Sequence, residues 1–210
     1  MKKILVVDDH AVVREGIKSI LRSELKNVLV ESAGDADTAL KLLKSNPCDM
    51  IILDITMPGR SGLDLLKDIK QFFPSARVLV LSIHQESQYA LRILKSGASG
   101  YITKDASPQE LLRAVQKILR GQKYLSDALA PVILEELSGS RNDLPHEALS
   151  NREFEVLCML AKGIPLKEIA RLLKLSPKTI TTYRTRILEK MGLESNAELT
   201  RYAVDNDLIE

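Results

Sequence analysis

From the N-terminus to about residue 120, the hydrophobic pattern alternates between two periods. Short apolar runs stand at Lys3–Val7, Val28–Glu31, Met50–Leu53, Arg77–Leu81 and Gly100–Ile102. They are rich in Ile, Val and Leu, and three are nearly continuous, as strands buried on both faces of a parallel sheet should be. Between them, apolar residues recur at helical spacing. Ile17, Ile20, Leu21 and Leu25 form one set, and Ala39, Leu40, Leu42 and Leu43 the next. Leu63, Leu65, Leu66 and Ile69 follow, then Ala90, Leu91, Ile93 and Leu94, and last Leu111, Leu112, Val115, Ile118 and Leu119. Five strands alternating with five helices predict right-handed crossovers and an α/β doubly wound five-stranded parallel sheet. In that architecture ligands sit outside the carboxyl ends of the strands, beside the switch in strand order.

The pattern then changes. Asp127–Leu137 reads as one short helix, and Ser138–Pro145 (SGSRNDLP) has the Gly, Ser, Asn, Asp and Pro content of a linker. From Leu149 onward four helical patterns follow with no strand, over about Asn151–Ala161, Leu166–Leu173, Pro177–Met191 and Ala197–Asn206. This predicts a sheet domain at 1–122, a linker with a short helix at 123–148, and a small all-α four-helix domain at 149–210.

Composition narrows the class. At 210 residues and 45% hydrophobic, the chain is too apolar for disorder and long enough for two cores. Cys48 and Cys158 show no CxxC spacing, which disfavours a disulfide scaffold or zinc site and predicts buried thiols in a reducing cytosol. No apolar run approaches the roughly 18–20 residues of a membrane helix. The start, MKKILVVDD, breaks into acids after five apolar residues and does not read as a signal peptide. A cytoplasmic protein is expected. The net charge of +2 hides a local excess, since residues 162–190 carry eight basic and two acidic side chains.

The strand ends carry the first chemistry. Asp8 and Asp9 follow the first strand, Asp54 the third, Ser82 the fourth, and Lys104 lies just past the fifth. A parallel sheet brings these to one edge. Three crowded carboxylates repel unless a cation neutralises them, and hard oxygen donors suit Mg²⁺. A carboxylate beside a divalent ion, an ammonium and a hydroxyl is an arrangement for phosphoryl transfer, with the carboxylate as nucleophile. Singly, each has a plainer reading: Asp8 and Asp9 as helix caps, Asp54 as a turn acid, Ser82 as a strand-end hydroxyl and Lys104 as a surface lysine.

Here the sequence resembles a known family. VVDDH at 6–10, LDITMPGRSG at 53–62, LVLSIH at 79–84 and GASGYITKD at 97–105 resemble the receiver domain of two-component response regulators, a flavodoxin-like fold. The resemblance implies that Asp54 accepts a phosphoryl group from a sensor histidine kinase. It implies that Asp9, Asp54 and the backbone carbonyl of Thr56 hold Mg²⁺, helped by Asp8 through water, and that Ser82 and Lys104 contact the phosphoryl oxygens. Tyr101 matches the aromatic position that turns inward with the hydroxyl. Pro58, Gly59 and Gly62 match the loop after the acceptor, where glycine permits backbone angles that other residues resist. Thr56 and His84 match positions flanking the hydrolytic water.

The second chemistry lies in the all-α part. Lys174-Leu175-Ser176-Pro177 reads as the turn of a helix-turn-helix, with Ser176 as N-cap and Pro177 at the first helical position. At 100° per residue from Ile180, Ile187 and Met191 fall within about 20° and Tyr183 about 60° away, giving a core stripe. Lys178, Thr182 and Thr185 fall opposite, with Thr181 and Arg186 at the margins. The outward face, counting Thr179, is Lys, Arg and four threonines, with no acid before Glu189. Short hydroxyls and cations suit base edges and phosphates in a major groove, whereas a solvated helix more often interleaves Glu with Lys.

LSNREFEVLCMLAKG at 149–163 and KEIARLLKLSPKTITTYRTRILEKMGL at 167–193 resemble the LuxR-type DNA-binding domain, whose union with a receiver defines the NarL/FixJ subfamily. The resemblance implies that Lys178, Thr181, Thr182 and Thr185 face bases, and that Arg184, Arg186 and Lys190 reach phosphates. Tyr183 departs from the His of many members. The last helix, with Leu199, Tyr202 and Ala203, resembles the family's dimer helix, or simply packs on the helix-turn-helix. The expected protein is a phosphorylation-dependent regulator that dimerises on promoter DNA and is not a dedicated enzyme. Three rivals stand against it. An aspartyl-phosphate phosphatase of the haloacid-dehalogenase kind would carry a second acid two residues after the nucleophile, where Thr56 stands. A constitutive DNA-binder would leave the phosphorylation residues idle. A pure interaction module would leave the threonine face unexplained.

Overall fold

A computed structural model of the chain describes residues 1–57, 62–82, 87–126, 144–206 and 208–209. The expectations for Pro58, Gly59, His84 and a helix at 127–137 lie outside these residues. The chain divides into two compact units.

From Lys2 to Leu119 strand and helix alternate: β1 (Lys2–Val7), α1 (Ala11–Glu24), β2 (Val28–Ala33), α2 (Ala36–Ser45), β3 (Met50–Asp54), α3 (Gly62–Phe72), β4 (Arg77–Ser82), α4 (Ser87–Lys95), β5 (Gly100–Thr103) and α5 (Pro108–Leu119). The five strands form one parallel sheet in the order β2-β1-β3-β4-β5, as the alternating periods predict. Alternate strand residues serve opposite faces. Ile4, Val6, Met50, Ile52, Leu79, Leu81 and Ile102 pack with Ile17 and Leu21 of α1 and with Leu111, Val115 and Ile118 of α5. The intervening Leu5, Val7, Ile51 and Leu53 are as fully buried, on the side where α2 meets β1 and α3 meets β3. Burial on both faces is why the strands read as continuous apolar runs.

Tyr124, at the start of the segment read as linker, belongs to this core: its N–H donates to Ser99 O (2.9 Å), and its hydroxyl to Glu110 (3.2 Å). Cys48 is only part-buried, less than the core thiol expected, and burial pushes its thiol up to about 11. Cys158, in the second unit, is buried.

The second unit begins with a 3₁₀ turn (Pro145–Ala148), followed by α6 (Asn151–Ala161), α7 (Leu166–Leu172), α8 (Pro177–Met191) and α9 (Asn196–Asp205). Each boundary has a local cause. Ser150 and Glu153 form a reciprocal capping box at α6, and Ser176 caps α8 through Thr179 N–H (3.0 Å), with Pro177 opening the helix. Gly192 ends α8 in the left-handed conformation (φ 66°) that glycine adopts at little cost. Phe154, Leu157, Ile169, Ile180, Ile187, Leu199 and Ala203 are buried. Because Ser176 satisfies one of the orphan amides of α8, Ser176→Ala is expected to lower unfolding stability by about 1 kcal/mol, measurable by denaturant titration. Among the described residues no helix is long and apolar enough to cross a membrane.

Candidate functional site

Sheet register brings the strand-end groups together. Val7 pairs with Leu53, so the next residues along, Asp8 and Asp54, come side by side across the β1–β3 switch point. Ser82 pairs with Thr103, so Lys104 follows directly and donates its N–H to Ser82 O (2.7 Å). Lys104 Nζ then reaches back to Asp8 Oδ2 (2.8 Å) and Asp54 Oδ2 (2.7 Å), both carboxylates being fully buried. Thr56 N–H donates to Asp54 Oδ1 (2.9 Å). Ser82 and Tyr101 are buried as well, so the expected switch pair lies inside the unit.

The electrostatics are those of a strained carboxylate. Burial pushes the Asp54 carboxyl above the ordinary range, and the Asp8 charge adds to the rise. The hydrogen bond and charge of Lys104 and the Thr56 amide oppose it. Ligand atoms of Asp8, Asp9, His10 and Asp54 lie within 4.8 Å of one another. Within this group three carboxylates face one lysine ammonium, which leaves negative charge for a cation to offset. The donor set of hard oxygens therefore fits a divalent ion. Asp8 and Asp9 do not cap α1: its N-cap is His10, whose N–H instead donates to Asp8 Oδ1 (2.7 Å). Sequence reasoning passed over His10, although it directly follows the acidic pair.

In the second unit, Lys178, Thr181, Thr182, Thr185 and Arg186 line one shallow surface on α8, together with Glu189. Ile180, Ile187 and Met191 are buried on the other side, as their spacing predicts, while Tyr183 and Thr179 are part-buried. The hydroxyls of Thr181, Thr182 and Thr185 donate to the carbonyls of Pro177 (3.0 Å), Lys178 (3.1 Å) and Thr181 (3.2 Å). Their protons are thus used within the helix, which leaves oxygen lone pairs and methyl groups for an incoming surface.

Two expected phosphate contacts are engaged elsewhere. Lys190 Nζ bonds the capping-box carboxylate of Glu153 (2.7 Å), and Arg184 Nε bonds Asn196 Oδ1 (2.7 Å). Burial works against the charged Glu153, but the Lys190 bond and the Ser150 N–H outweigh it and hold its carboxyl below the usual range. In α9, Leu199 and Ala203 are buried within their own unit, Tyr202 Oη meets His146 Nδ1 (2.9 Å), and Val204 is exposed.

Comparison with known proteins agrees with both halves. Residues 4–116 match the family described as response regulator receiver domain, and residues 147–203 match the bacterial regulatory proteins of the luxR family. The chain is 33% identical over 210 residues to response regulator UvrY of Escherichia coli (strain K12), covering 99% of this chain and 96% of that protein. It is 36% identical over 216 residues to oxygen regulatory protein NreC of Staphylococcus carnosus (strain TM300), covering 99% of each. Among solved structures it is similar to RcsB from Salmonella enterica serovar Typhimurium bound to promoter rprA in the presence of phosphomimetic BeF3⁻. That match has a TM-score of 0.64 and 27% identity, and covers 96% of this chain and 97% of that one. The chain therefore belongs to the response regulators of the NarL/FixJ subfamily, which join a receiver domain to a LuxR-type helix-turn-helix domain.

Proposed function

We propose that Asp54 is the phosphoacceptor of a switch that controls promoter binding by α8. The observation that carries this reading is the buried Asp54 carboxylate, bonded to Lys104 and next to Asp8, in a chain that also carries the Lys-Thr-Arg face of α8. An Asp54 oxygen attacks the phosphorus of a phosphohistidine on a sensor histidine kinase. The new oxygen–phosphorus bond forms as the phosphorus–nitrogen bond breaks, and the imidazole leaves. Asp9, Asp54 and the Thr56 carbonyl, with Asp8 through water, would hold Mg²⁺, which would supply positive charge to offset that of the phosphoryl oxygens. Lys104 exchanges its carboxylate partners for a phosphoryl oxygen, and the Ser82 hydroxyl donates to another. Hydrolysis by water returns the free carboxylate and inorganic phosphate, a self-limiting reset and not turnover of an external substrate.

The phosphoryl group biases the active state only through contacts that differ between states, here those of Ser82, Lys104 and the neighbouring Tyr101. The receiver runs through Tyr124 and the DNA-binding domain from Pro145 to 210, joined by the segment between them. The active form is a cytoplasmic homodimer on promoter DNA. Lys178, Thr181, Thr182 and Thr185 face base edges, while Arg186 and part-exposed Thr179 lie toward the phosphates. Arg184 and Lys190 reach phosphates only by leaving Asn196 and Glu153.

Fluorescence anisotropy on a selected promoter fragment tests the whole reading. With Mg²⁺ and beryllofluoride, affinity is expected to rise above that with Mg²⁺ alone. Equal affinity in both conditions would favour the constitutive binder, and no binding in either would favour a partner-binding module.

A further inference from the structure

We propose that His10 is a ligand of the divalent ion at the acidic group, and that its imidazole biases the site toward first-row transition ions over Mg²⁺. This rests on the phosphoacceptor reading above and adds a nitrogen donor to its carboxylates. Ligand atoms of His10, Asp8, Asp9 and Asp54 lie within 4.8 Å of one another. Opposite ligands of a small divalent ion stand about 4.2 Å apart, so the His10 ring lies close to the sphere that Asp9 and Asp54 would form, with Asp8 beside it through water. His10 Nδ1 is 3.2 Å from Asp8 Oδ1 and 3.0 Å from Asp9 Oδ1.

The imidazole also faces carboxylate oxygens that Lys104 does not take. Lys104 takes the Oδ2 atoms of Asp8 and Asp54, whereas His10 faces the Oδ1 atoms of Asp8 and Asp9. Two bonds fix its backbone there, and a third fixes that of Asp8. His10 N–H donates to Asp8 Oδ1 (2.7 Å), its carbonyl accepts Arg14 N–H (3.1 Å), and the Arg14 guanidinium holds Asp8 O (2.6 Å). Helix formation does not account for the side chain. His10 occupies the N-cap of α1, where Ser, Thr, Asp and Asn are favoured, yet its side chain makes no capping bond. The ring is 57% exposed, so it has room to turn onto an ion.

Mg²⁺ prefers oxygen ligands and keeps several waters, so the imidazole adds little to its binding. Mn²⁺ through Ni²⁺ and Zn²⁺ accept imidazole nitrogen, with affinity rising along that series to Cu²⁺. One added nitrogen therefore raises affinity for these ions selectively.

The test uses the full chain and two probes, Mg²⁺ and Ni²⁺, titrated by calorimetry, with pulsed EPR on the Mn²⁺ form. In His10→Ala, Ni²⁺ affinity is expected to fall by about 10- to 100-fold, the scale at which even outer-shell partners act. Mg²⁺ affinity should stay within about twofold, since its ligands are oxygens. The nitrogen hyperfine coupling of bound imidazole should be present in the wild type and absent in the variant. A parallel loss of both ions, or a coupling that persists in His10→Ala, overturns the proposal. So does Ni²⁺ binding that survives Asp9→Asn, because that ion is held elsewhere. Failure of the wild type to bind either ion overturns the metal-site reading itself, whereas Mg²⁺ binding without a His10 effect overturns this inference alone.

Discussion

Asp54→Ala protein is expected to take up no acid-labile phosphate from a phosphohistidine-bearing kinase or from acetyl phosphate, and its DNA affinity should not respond to beryllofluoride. Asp8 is the more constrained neighbour. Asp8 Oδ1 already accepts the His10 N–H and meets its ring, while Oδ2 accepts from Lys104, so Asp8 is the more heavily bonded of the two carboxylates. The Asp54 oxygens accept one bond each, from Thr56 N–H and from Lys104, and so keep lone pairs for attack.

The same substitution should stabilise the fold in the absence of divalent ions. Burial raises the Asp54 carboxyl, which means that its ionised form is disfavoured in the folded state relative to the unfolded one. At neutral pH the charge is therefore a net cost, and removing it is expected to raise unfolding stability by about 1 kcal/mol. A raised folded value has its stabilising effect at low pH and loses it as pH rises. The wild type should accordingly regain ground on the variant as pH falls and Asp54 takes a proton. Added Mg²⁺ should stabilise the wild type more than the variant, by ordinary binding linkage. Denaturant titrations at two pH values, with and without Mg²⁺, check the three signs together. A variant less stable than the wild type at neutral pH would contradict the account of Asp54 as a strained buried charge.

How far this was legible in the sequence depends on what fixes each feature. A parallel sheet turns all carboxyl ends to one edge, so Asp8, Asp54, Ser82 and Lys104 could be brought together from their places after apolar runs alone. Helical period likewise separates Ile180, Ile187 and Met191 from Lys178, Thr182 and Thr185. Period reports which face of its own element a residue occupies. It does not report which atoms of a distant element arrive opposite. Lys190 and Arg184 read as free cations because Glu153 and Asn196, lying 37 and 12 residues away, come to them only in the folded unit. Tyr124 read as linker because its partners, Ser99 and Glu110, belong to a strand edge and a helix that no local pattern connects to it. His10 was missed for a simpler reason: adjacent to two stronger candidates, its ring position depends on a backbone turn that the letters DDH do not specify.

Gly62 shows the limit most sharply, and Gly62→Ala is expected to be among the most damaging single-methyl changes in the receiver. The sequence reading assigned this glycine to backbone freedom. Yet among the described residues the glycines with positive φ are Gly97, Gly121, Gly163 and Gly192, and Gly62 is not one of them. Its constraint is space. A Cβ at Gly62 would stand 2.1 Å from the carbonyl oxygen of Asp54 and 2.5 Å from Ile55 Cα. Both are backbone atoms, so no side chain can rotate aside to make room. The Gly62 N–H also donates to Ile55 O (3.2 Å), which ties the start of α3 to the segment after the acceptor. Relief therefore requires β3 and α3 to part where Asp54 is positioned. Overpacking of this kind costs about 1–3 kcal/mol, and more where the backbone itself must move. Stability loss should reach the upper end of that range, with phosphate uptake falling even where the protein remains folded. Gly16→Ala is the matched control: Gly16 lies inside α1 with nothing within 4 Å of the place a methyl would take, and the helix should gain up to about 1 kcal/mol. Equal effects of the two substitutions would mean that close approach at Asp54 is not what holds position 62 to glycine.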